Sequence, residues 1–455
     1  MGWLNPTVLP GEKAIANYDE DSLTMAVAAS TDCLRGASHE AIDGLYFATT
    51  TASYRERESA AIIATALDLK PSIRTADFAD SLKAGTAALL CSYDAVKSGG
   101  VSKVLVCAAD CRLGKPGSSQ EMNFGDGAAA LLIGSDGVIA SLEGSYSVSY
   151  DFPDHWRAAY DRYDRALEDR WIRDEGYTKF ITEAIIGLTQ KYGMEAKDFT
   201  KVAYPCLYPR DHTAIGKGLG LQPSQIQDPL LMTVGESGTA SPLMMLIAAL
   251  EEAKPGDNIL MASYGNGSEA LWFKATEEIG RKKNFGGLKR YISSKEELTS
   301  YEKYIAFRGI LPVEAGFRGE VGPAQLPLAW RERREILALC GSKCKRCGTP
   351  QYPPQRICVN PDCGAIDEME DYRFSDKKGT LFSYTEDRLA YSINPPQRYG
   401  MIDFEGGGRY VFDITDVALG SLEVGMPMEM TFRRKYADEV RGTYGYCWKA
   451  MPPKG

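Results

Sequence analysis

Apolar and polar positions follow two kinds of pattern along residues 20–278. Continuous apolar runs of strand length occur in "SKVLVCAAD" and "DNILMASYG", and a shorter β-rich run is "IDGLYFATT". Runs bounded by Gly, Ser or Asp are typical of strands buried on both faces of an α/β sheet. Helical patterns lie between them, such as "DSLTMAVAASTDCLRG", for which Asp21 or Ser22 is the expected N-cap. The pattern predicts an α/β fold.

A weak internal repeat lies within this part of the chain. Residues 83–110 resemble residues 236–265, because each segment has Gly-Thr-Ala, an apolar helix, a turn with Lys and Gly, and a buried strand. Two copies of one α/β unit at this separation favour a pseudo-twofold, duplicated fold. The alternative is that any two βαβ units would share such a pattern.

The pattern changes beyond residue 300. Residues 303–330 are rich in Gly and Pro and lack a long periodic segment, which predicts a linker or an extended arm. The stretch "RERREILALC" predicts a short helix. From Gly379 onward, short alternating strands are separated by turn residues, which is typical of a small antiparallel barrel.

Composition narrows the class of protein. The 455 residues are 44% hydrophobic and 25% charged, which suits two or three globular domains. The formal net charge of −9 argues against nucleic-acid binding, which needs a basic face. Because we find neither a long apolar run nor a signal-peptide pattern, we expect no membrane association and a cytoplasmic location.

The 11 cysteines are unevenly placed. Cys344, Cys347, Cys358 and Cys363 form the pattern C-x2-C-x10-C-x4-C. Two cysteine knuckles at this spacing predict a closed, tetrahedral Zn²⁺ site of the structural type. Cys340 lies nearby and is expected to pack in the preceding helix. Such a site, rather than disulfides, suits a reducing compartment.

Residues 13–278 resemble the thiolase superfamily, in particular the archaeal-type 3-hydroxy-3-methylglutaryl-CoA synthases. Residues 336–455 resemble the zinc-ribbon plus OB-fold family that accompanies thiolase-like enzymes, usually as a separate subunit. The resemblance implies a duplicated, five-layered αβαβα core, a homodimer formed through that core, and a CoA thioester as substrate. The matching stretches are "YDEDSLTMAVAAS", "KAGTAAL", "FGDGAAALLIG", "DFPDHWR", "AKPGDNILMASYGNGSEAL" and "YEKYIAFRG".

The resemblance also implies a division of the chain. Residues 1–142 and 143–300 are expected to form the two halves of the thiolase-like core. Residues 301–335 are expected to form the linker or arm, residues 336–375 a rubredoxin-like zinc ribbon, and residues 376–455 the OB-fold. The family's first strand has no clear counterpart, since only "MGWLNPTVLPGEKAIANY" precedes the first matching helix. That strand is either absent or replaced by another segment.

The residues that carry acyl transfer in this family are missing. The family uses a cysteine thiolate at a helix N-terminus, a carboxylic acid, and a histidine assisted by an asparagine. At the matching positions the chain has Leu82, Thr50, Pro205 and Glu236. A leucine cannot form an acyl-enzyme. The four differences together indicate that cysteine-dependent condensation has been abandoned.

Another nucleophile could have replaced the cysteine. Ser81, Cys91 and Cys206 are the candidates. Ser81 is more simply explained as a helix cap, and Cys91 as a core residue of the same helix.

Other polar residues remain at the expected site, and the resemblance places them there. Glu236, Tyr264, Tyr204 and His212 are the predicted catalytic residues. For Tyr204 and Tyr264 the alternative is packing at a strand end, and for His212 it is a solvent-facing position at the start of a helix. A packing role does not explain Glu236 as readily, because a charged side chain in such a site requires an ionic partner or a catalytic function.

Backbone turns complete the predicted site. Turns at Gly265 and Gly267, and the helix start near Gly85, are predicted to stabilise an oxyanion through their amides. Asp126 in "FGDG" is expected to fix a turn.

Three functions stay open. The first is aldol or retro-aldol chemistry on a β-hydroxyacyl-CoA, with Glu236 or Tyr264 as proton acceptor. The chain resembles thiolase-like steroid side-chain aldolases, which also lack the cysteine and work with a zinc-ribbon/OB-fold partner. The second is hydroxymethylglutaryl-CoA synthase or thiolase-type acyl transfer with a displaced nucleophile. The third is a non-catalytic scaffold that binds acyl-CoA.

Overall fold

The computed structural model describes residues 11–281, 287–314 and 325–454. Its helices are α1 (Ser22–Cys33), α2 (Ser59–Ala66), α3 (Ala84–Lys97), α4 (Ser119–Asn123), α5 (Asp169–Trp171), α6 (Thr178–Tyr192), α7 (Pro209–Gly218), α8 (Ser241–Glu252), α9 (Leu288–Ser293), α10 (Tyr301–Phe307), α11 (Leu326–Arg331) and α12 (Arg333–Ala338). A π-helical segment, Ile172–Tyr177, joins α5 to α6, and 3-10 turns cover His39–Ala41, Ala196–Asp198, Gly238–Ala240 and Glu277–Gly280. None of the helices in these ranges combines the length and apolar character that a bilayer span requires.

The strands are β1 (Gly44–Ala48), β2 (Arg74–Phe78), β3 (Lys103–Asp110), β4 (Gly127–Gly134), β5 (Ala140–Ser149), β6 (His155–Trp156), β7 (Arg165–Ala166), β8 (Lys201–Ala203), β9 (Asn258–Ala262), β10 (Gly267–Ala275), β11 (Cys340–Cys344), β12 (Pro350–Gln351), β13 (Met369–Arg373), β14 (Gly379–Asp387), β15 (Gln397–Phe404), β16 (Arg409–Asp413), β17 (Pro427–Asp438) and β18 (Thr443–Met451). The three apolar runs that predicted strands form β1, β3 and β9.

The chain divides into two compact units. The first comprises Met1–Ile15, Asp32–Ala61 and Pro71–Ile292, and the second comprises Ala16–Thr31, Ile62–Lys70 and Ser293–Gly455. Most of α1 and the second half of α2 therefore belong to the unit that contains the C-terminal strands.

The first unit contains two four-stranded sheets of related topology. Their orders are β2-β1-β3-β4 and β5-β10-β9-β8. In the first sheet β1 pairs in parallel with β3, and β3 pairs antiparallel with β4. In the second sheet β8 pairs in parallel with β9, and β9 pairs antiparallel with β10. The shared pattern confirms the predicted duplication.

Helices α3 and α8 form the layer between the two sheets. Ala84 and Ala88 of α3 share an apolar cluster with Leu243 of α8, with β3 and with β8. A second cluster joins Leu89 of α3 to α8, β9 and β10. On its other face, the second sheet is covered by α6 and α7. The start of α3, where the sequence resemblance predicts the family's nucleophile position, is thereby held between the halves.

The segment before α1 runs beside the chain at residues 232–234. Glu12 N donates to Met232 O at 3.0 Å, Ala14 N donates to Val234 O at 2.8 Å, and Asp126 N donates to Ala14 O at 3.0 Å. The "FGDG" turn is tied to this segment. The question of a missing first strand also concerns residues 1–10, which lie outside the described residues.

Asp21 caps α1 as predicted. Asp21 Oδ1 accepts a hydrogen bond from Thr24 N at 2.9 Å, and Thr24 Oγ1 accepts one from Asp21 N at 2.8 Å. These reciprocal bonds satisfy backbone donors at the start of the helix.

The second unit contains a small sheet and a larger one. The small sheet has the order β12-β11-β13, and the five strands of the larger sheet have the order β16-β15-β14-β17-β18. Two expectations are corrected here. Cys340 is the first residue of strand β11 and not part of a helix. The region predicted as a linker contains α10 and α11, whereas α12 is the short helix predicted in "RERREILALC".

A buried ion cluster lies in the second unit, between the residues before α1 and the pair β17–β18. The Arg433 guanidinium lies 3.3 Å from Asp19, 2.7 Å from Glu20 and 2.6 Å from Asp416. Lys449 Nζ lies 2.9 Å from Asp19. Arg433 and Asp19 are each only 2% exposed. Each buried charge therefore requires the opposite charge as a partner, since an unpaired buried charge is strongly destabilising.

Candidate functional site

Leu82 lies two residues before α3, at the position where the sequence resemblance predicts the family's nucleophile. Its side chain is buried and packs against the turn after β9. A Cβ added to Gly265 would come within 3.0 Å of Leu82 Cβ and 2.9 Å of Lys83 N. The turn can approach the helix this closely because Gly265 has no side chain and takes a φ of +155°. The apolar side chain of Leu82 therefore fills the space between the start of α3 and this turn.

The three substitute nucleophiles lie in unfavourable settings. Ser81 Oγ donates to Gly265 O at 3.1 Å and accepts from Lys83 N at 3.4 Å, but the N-cap of α3 is Lys83 and not Ser81. Burial raises the pKa of the Cys206 thiol to about 12, which keeps it protonated. Cys91 is exposed, contrary to its expected core position, and the partial burial of its thiol together with the Asp94 charge raises its pKa.

The carboxylate of Asp110 binds the residues around Thr50, which the sequence resemblance predicts to stand at the position of the family's acid. Asp110 Oδ1 accepts from Thr50 N at 2.7 Å and from the hydroxyls of Thr49, Thr50 and Thr51 at 2.9 to 3.0 Å. Asp110 Oδ2 accepts from Thr239 N and Oγ1 at 2.8 and 2.9 Å. Thr50 therefore helps to hold a buried anion.

Glu236 has an ionic partner. Its Oε2 is bonded to the Arg112 guanidinium, and its Oε1 accepts from Gly238 N at 3.1 Å. Arg112 also binds Asp164 at 2.7 Å and lies 4.0 Å above the ring of Phe124. Glu236 and Arg112 are 8% and 5% exposed. The charge at Glu236 is therefore compensated within the protein, and its carboxylate keeps lone pairs for a further donor.

Tyr264 stands apart from this ion pair. Its side chain is 3% exposed and packs on Tyr177 and Phe180, with ring centroids 5.8 and 6.3 Å away. Tyr177 Oη in turn donates to Pro205 O at 2.7 Å, and Pro205 is the residue predicted at the position of the family's histidine. In the described part of the chain, no hydrogen bond or ion pair joins Glu236 to Tyr264.

Tyr204 and His212 pack on each other. Their rings are stacked at 4.2 Å, and Tyr204 Oη donates to His212 O at 2.8 Å. His212 is 6% exposed and lies inside α7, so the solvent-facing alternative is wrong. Burial lowers the pKa of His212 to about 4, which leaves a neutral imidazole at pH 7.

The glycines predicted to form an oxyanion site are required for close packing. A Cβ at Gly85 would come within 2.4 Å of Thr239 O, and one at Gly267 within 2.1 Å of Val148 O. Gly265 N already donates to Gly267 O at 3.0 Å. The amides of Gly85 and Gly267 remain the predicted donors.

Sequence reasoning missed a second buried carboxylate at the start of α3. Glu269 Oε2 lies 2.5 Å from Thr86 Oγ1, and Glu269 Oε1 lies 3.8 Å from Lys83 Nζ. Burial raises the pKa of Glu269. Thr86 in one half and Thr239 in the other thus each bind a carboxylate. The available signal was a charged residue inside the apolar run "GSEALWF".

The four predicted metal ligands come together in the second unit. The Sγ atoms of Cys344, Cys347, Cys358 and Cys363 all lie within 4.8 Å of one another. The Cys344–Cys363 and Cys347–Cys358 sulfurs are 3.8 and 3.5 Å apart. A tetrahedral Zn²⁺ with Zn–S bonds of about 2.3 Å has sulfurs about 3.8 Å apart. The four thiolates therefore fit a metal site that leaves no position open.

Two archaeal enzymes resemble the chain in sequence. A hydroxymethylglutaryl-CoA synthase of Methanopyrus kandleri is 33% identical over 273 residues, which are 59% of this chain and 78% of that protein. A hydroxymethylglutaryl-CoA synthase of Methanocaldococcus jannaschii is 30% identical over 302 residues, which are 65% of this chain and 87% of that protein.

Solved structures resemble the chain in fold. A crystal structure of HMG-CoA synthase complexed with CoA gives a TM-score of 0.59 at 20% identity, over 68% of this chain and 84% of that one. A 3-oxoacyl-[acyl-carrier-protein] synthase III from Aquifex aeolicus VF5 gives a TM-score of 0.51 at 22% identity, over 58% and 87%. Separately, the family model for the C-terminal OB-fold domain of ChsH2 matches residues 372–433.

Proposed function

We propose, from the premise that this chain belongs to the hydroxymethylglutaryl-CoA synthase family, that it acts on the carbon–carbon bond β to a CoA thioester without an acyl-cysteine. The observation that carries the proposal is Leu82, a buried leucine at the position of the nucleophile. A leucine offers no electron pair for attack on a thioester. The bonded state of Ser81 and the raised pKa of Cys206 add support.

Aldol-type cleavage needs no covalent acyl step. A base takes the proton of the β-hydroxyl while the Cα–Cβ bond breaks. The β-carbon becomes the carbonyl carbon of an aldehyde or ketone, and the bonding electrons form the enolate of the remaining thioester. The enolate carbon then takes a proton, and exchange with solvent restores both protein groups. The reverse sequence is a condensation.

Glu236 and Tyr264 fit these two roles. We assign the Glu236 carboxylate as the proton acceptor, held in place by Arg112. Burial and the nearby Asp154 charge raise the pKa of Tyr264, so its phenol is protonated at pH 7. This favours Tyr264 as the proton donor rather than as an acceptor. The amides of Gly85 and Gly267 are our candidates for the enolate oxygen.

The second unit is proposed to bind structural Zn²⁺ and to help admit the substrate. Four cysteine ligands leave no coordination position for water or substrate, so a metal there would hold the ribbon together. The match of residues 372–433 to an OB-fold domain supports an accessory role in acyl-CoA chemistry. A homodimer through the thiolase-like core is also proposed, and light scattering coupled to size-exclusion chromatography tests it.

The test is a screen of β-hydroxyacyl-CoA and β-ketoacyl-CoA thioesters, read out as released acyl-CoA and aldehyde or ketone. Glu236→Gln and Tyr264→Phe are each expected to lower kcat by about 10²–10⁴-fold, because each removes one proton-transfer group. Tyr192→Phe is the matched control, since Tyr192 Oη only accepts from Ser145 N at 3.2 Å. Unchanged turnover in the double variant would refute these roles.

The second candidate is acyl transfer of the synthase type, which the names of the relatives favour. Intact-mass spectrometry after incubation with acetyl-CoA separates the two functions. Our proposal predicts no covalent acetyl adduct on the wild-type chain. An adduct mapped to Ser81, Cys91 or Cys206 would favour the synthase. Binding of acyl-CoA without any turnover would favour the non-catalytic scaffold.

A further inference from the structure

Glu269 is a buried acid to which the proposed reaction gives no role. It lies in β10 and is 7% exposed. The cation beside it is Lys83, whose Nζ lies 3.8 Å from Glu269 Oε1, too far for a hydrogen bond. Lys83 Nζ instead donates to Ser149 Oγ at 3.0 Å. Within the described ranges, Glu269 therefore has no hydrogen-bonded cation, whereas Glu236 has Arg112.

Thr86 Oγ1 has three oxygen neighbours at hydrogen-bonding distance. Lys83 O lies 2.9 Å away, Ser263 Oγ lies 3.0 Å away, and Glu269 Oε2 lies 2.5 Å away. A threonine hydroxyl has one proton to donate and two lone pairs with which to accept. Because a carbonyl oxygen can only accept, all three contacts are hydrogen bonds when Thr86 donates to Lys83 O and accepts from both Ser263 and Glu269.

An ionised Glu269 does not satisfy this proton count. A carboxylate only accepts, so Glu269 and Lys83 O would compete for the one proton of Thr86. Whichever of them lost would face Thr86 Oγ1, at 2.5 or 2.9 Å, without a proton between the two oxygens. A protonated Glu269 removes this conflict because its O–H group donates to Thr86. Burial acts in the same direction, since it raises the pKa of Glu269 against the opposing effects of Thr86 and Lys83.

The charge state of Glu269 matters because of where it lies. Thr86 is in the first turn of α3, next to Gly85, whose amide is our candidate donor to the enolate oxygen. The N-terminus of a helix carries partial positive charge that stabilises an anion. An ionised Glu269 would use this positive charge itself and would repel an enolate in a low-dielectric site. A neutral carboxylic acid does neither.

We propose that Glu269 is a positioning residue that is a neutral carboxylic acid at pH 7, donates its proton to Thr86 and so leaves the start of α3 available to the enolate. The role towards the enolate rests on the proposed function. The protonated state does not, because it follows from contacts within the protein. The titratable groups that face Glu269 are Lys83, which precedes α3, and Cys91, which lies further along that helix.

Infrared spectroscopy of the substrate-free protein tests the protonated state. The carbonyl stretch of a carboxylic acid absorbs apart from the carboxylate bands, and Glu269→Gln should lose one such band at pH 7. Glu143→Gln is the matched control, because Ser141 Oγ donates to Glu143 Oε1 at the same distance of 2.5 Å, but Glu143 is exposed. This control should lose no carboxylic acid band. An unchanged band in Glu269→Gln, or an equal loss in Glu143→Gln, would overturn the proposal.

Thr86→Val provides the answer if Glu269→Gln does not fold. This variant keeps Glu269 but removes the oxygen that accepts its proton. The carboxylic acid band should therefore persist and move to higher frequency, and a band at its wild-type position would contradict the bond to Thr86. The wild type alone gives a further test, since complete absence of carboxylic acid absorption at pH 7 would overturn the proposal.

Kinetics with a turned-over thioester test the role at the start of α3. The kcat of the wild type should fall over the pH range in which the Glu269 band disappears, because ionisation places a negative charge beside the enolate. Glu269→Gln should lack this decline, with little change in KM. A uniform loss of kcat with an unmoved pH profile would indicate a merely structural role and would overturn the positioning role. Absence of turnover in the wild type would refute the proposed function but would leave the infrared result intact.

Discussion

Single side chains decide what this site can do. In our proposal Leu82 stands in place of the nucleophile, and Glu236 places a charge at the position predicted for the family's amide. The charge persists in the interior because Arg112 lies against it, and Asp164 shares the same guanidinium. An unpaired carboxylate at this depth would instead take up a proton. Glu236 and Arg112 are therefore best considered as one unit.

His212 gives a prediction at this scale. Its pKa of about 4 lies below the ordinary value of about 6.5, so the unfolded chain binds more protons between these two pH values. The free energy of unfolding should therefore fall as pH decreases from about 6.5 to 4, by up to about 3 kcal/mol from this residue. His212→Phe should remove that part, measured by urea unfolding of the first unit at pH 7 and pH 4.5. His39→Asn is the control, and parallel behaviour of wild type and His212→Phe would contradict the assignment.

At the scale of elements, the crossing of α3 with the start of α8 joins the two halves. Thr86 of α3 contacts Ser263 after β9 at 3.0 Å, and Thr239 donates to Asp110 at the end of β3 at 2.9 Å. Each half thus supplies a threonine to the end of a strand in the other half. In each of the two Gly-Thr-Ala segments, the glycine allows a close approach and the threonine forms a hydrogen bond.

Gly85→Ala tests this crossing. The added Cβ would come within 2.4 Å of the carbonyl oxygen of Thr239, a backbone atom that cannot move freely. We expect a loss of about 1–3 kcal/mol in the free energy of unfolding, measured by urea titration. Gly218→Ala is the matched control, because a Cβ at Gly218 meets no atom within 4 Å. Equal stability of the two variants would show that the helices do not cross as described.

At the scale of the whole molecule, each of the two units is stabilised internally in a different way. The first relies on apolar clusters between its sheets and helices. The second unites distant parts of the chain through charges, since Arg433 binds Asp19 and Asp416. Removing one partner from such a buried cluster leaves an uncompensated charge. The cysteine cluster adds a third means of stabilisation.

Metal removal is expected to affect only part of the molecule. We predict one zinc per chain by elemental analysis, lost in Cys344→Ser and kept in Cys91→Ser. Chelation should raise hydrogen exchange in β11 and β13, because ligand binding supplies the folding free energy of so small a sheet. Exchange in β3 and β9 should stay unchanged. Full protection of β11 after complete metal removal would contradict a structural role for the site.

The sequence by itself determined the strands β1, β3 and β9, the duplication and the cysteine cluster. These features depend on local pattern and spacing, which the linear chain contains. The tertiary structure decided which charges meet. Arg112 with Glu236 and Thr86 with Glu269 join segments that are far apart in sequence.

The tertiary structure also placed most of α1 with the C-terminal unit and buried His212 inside α7. Apolar periodicity gives the faces that must be buried, but it does not say which distant segment buries them. Hydrogen bonds and ion pairs act over a few ångströms, and only folding brings their partners within that range. The sequence could therefore predict which residues are candidates for the site, whereas the partners of the charged residues required the structure.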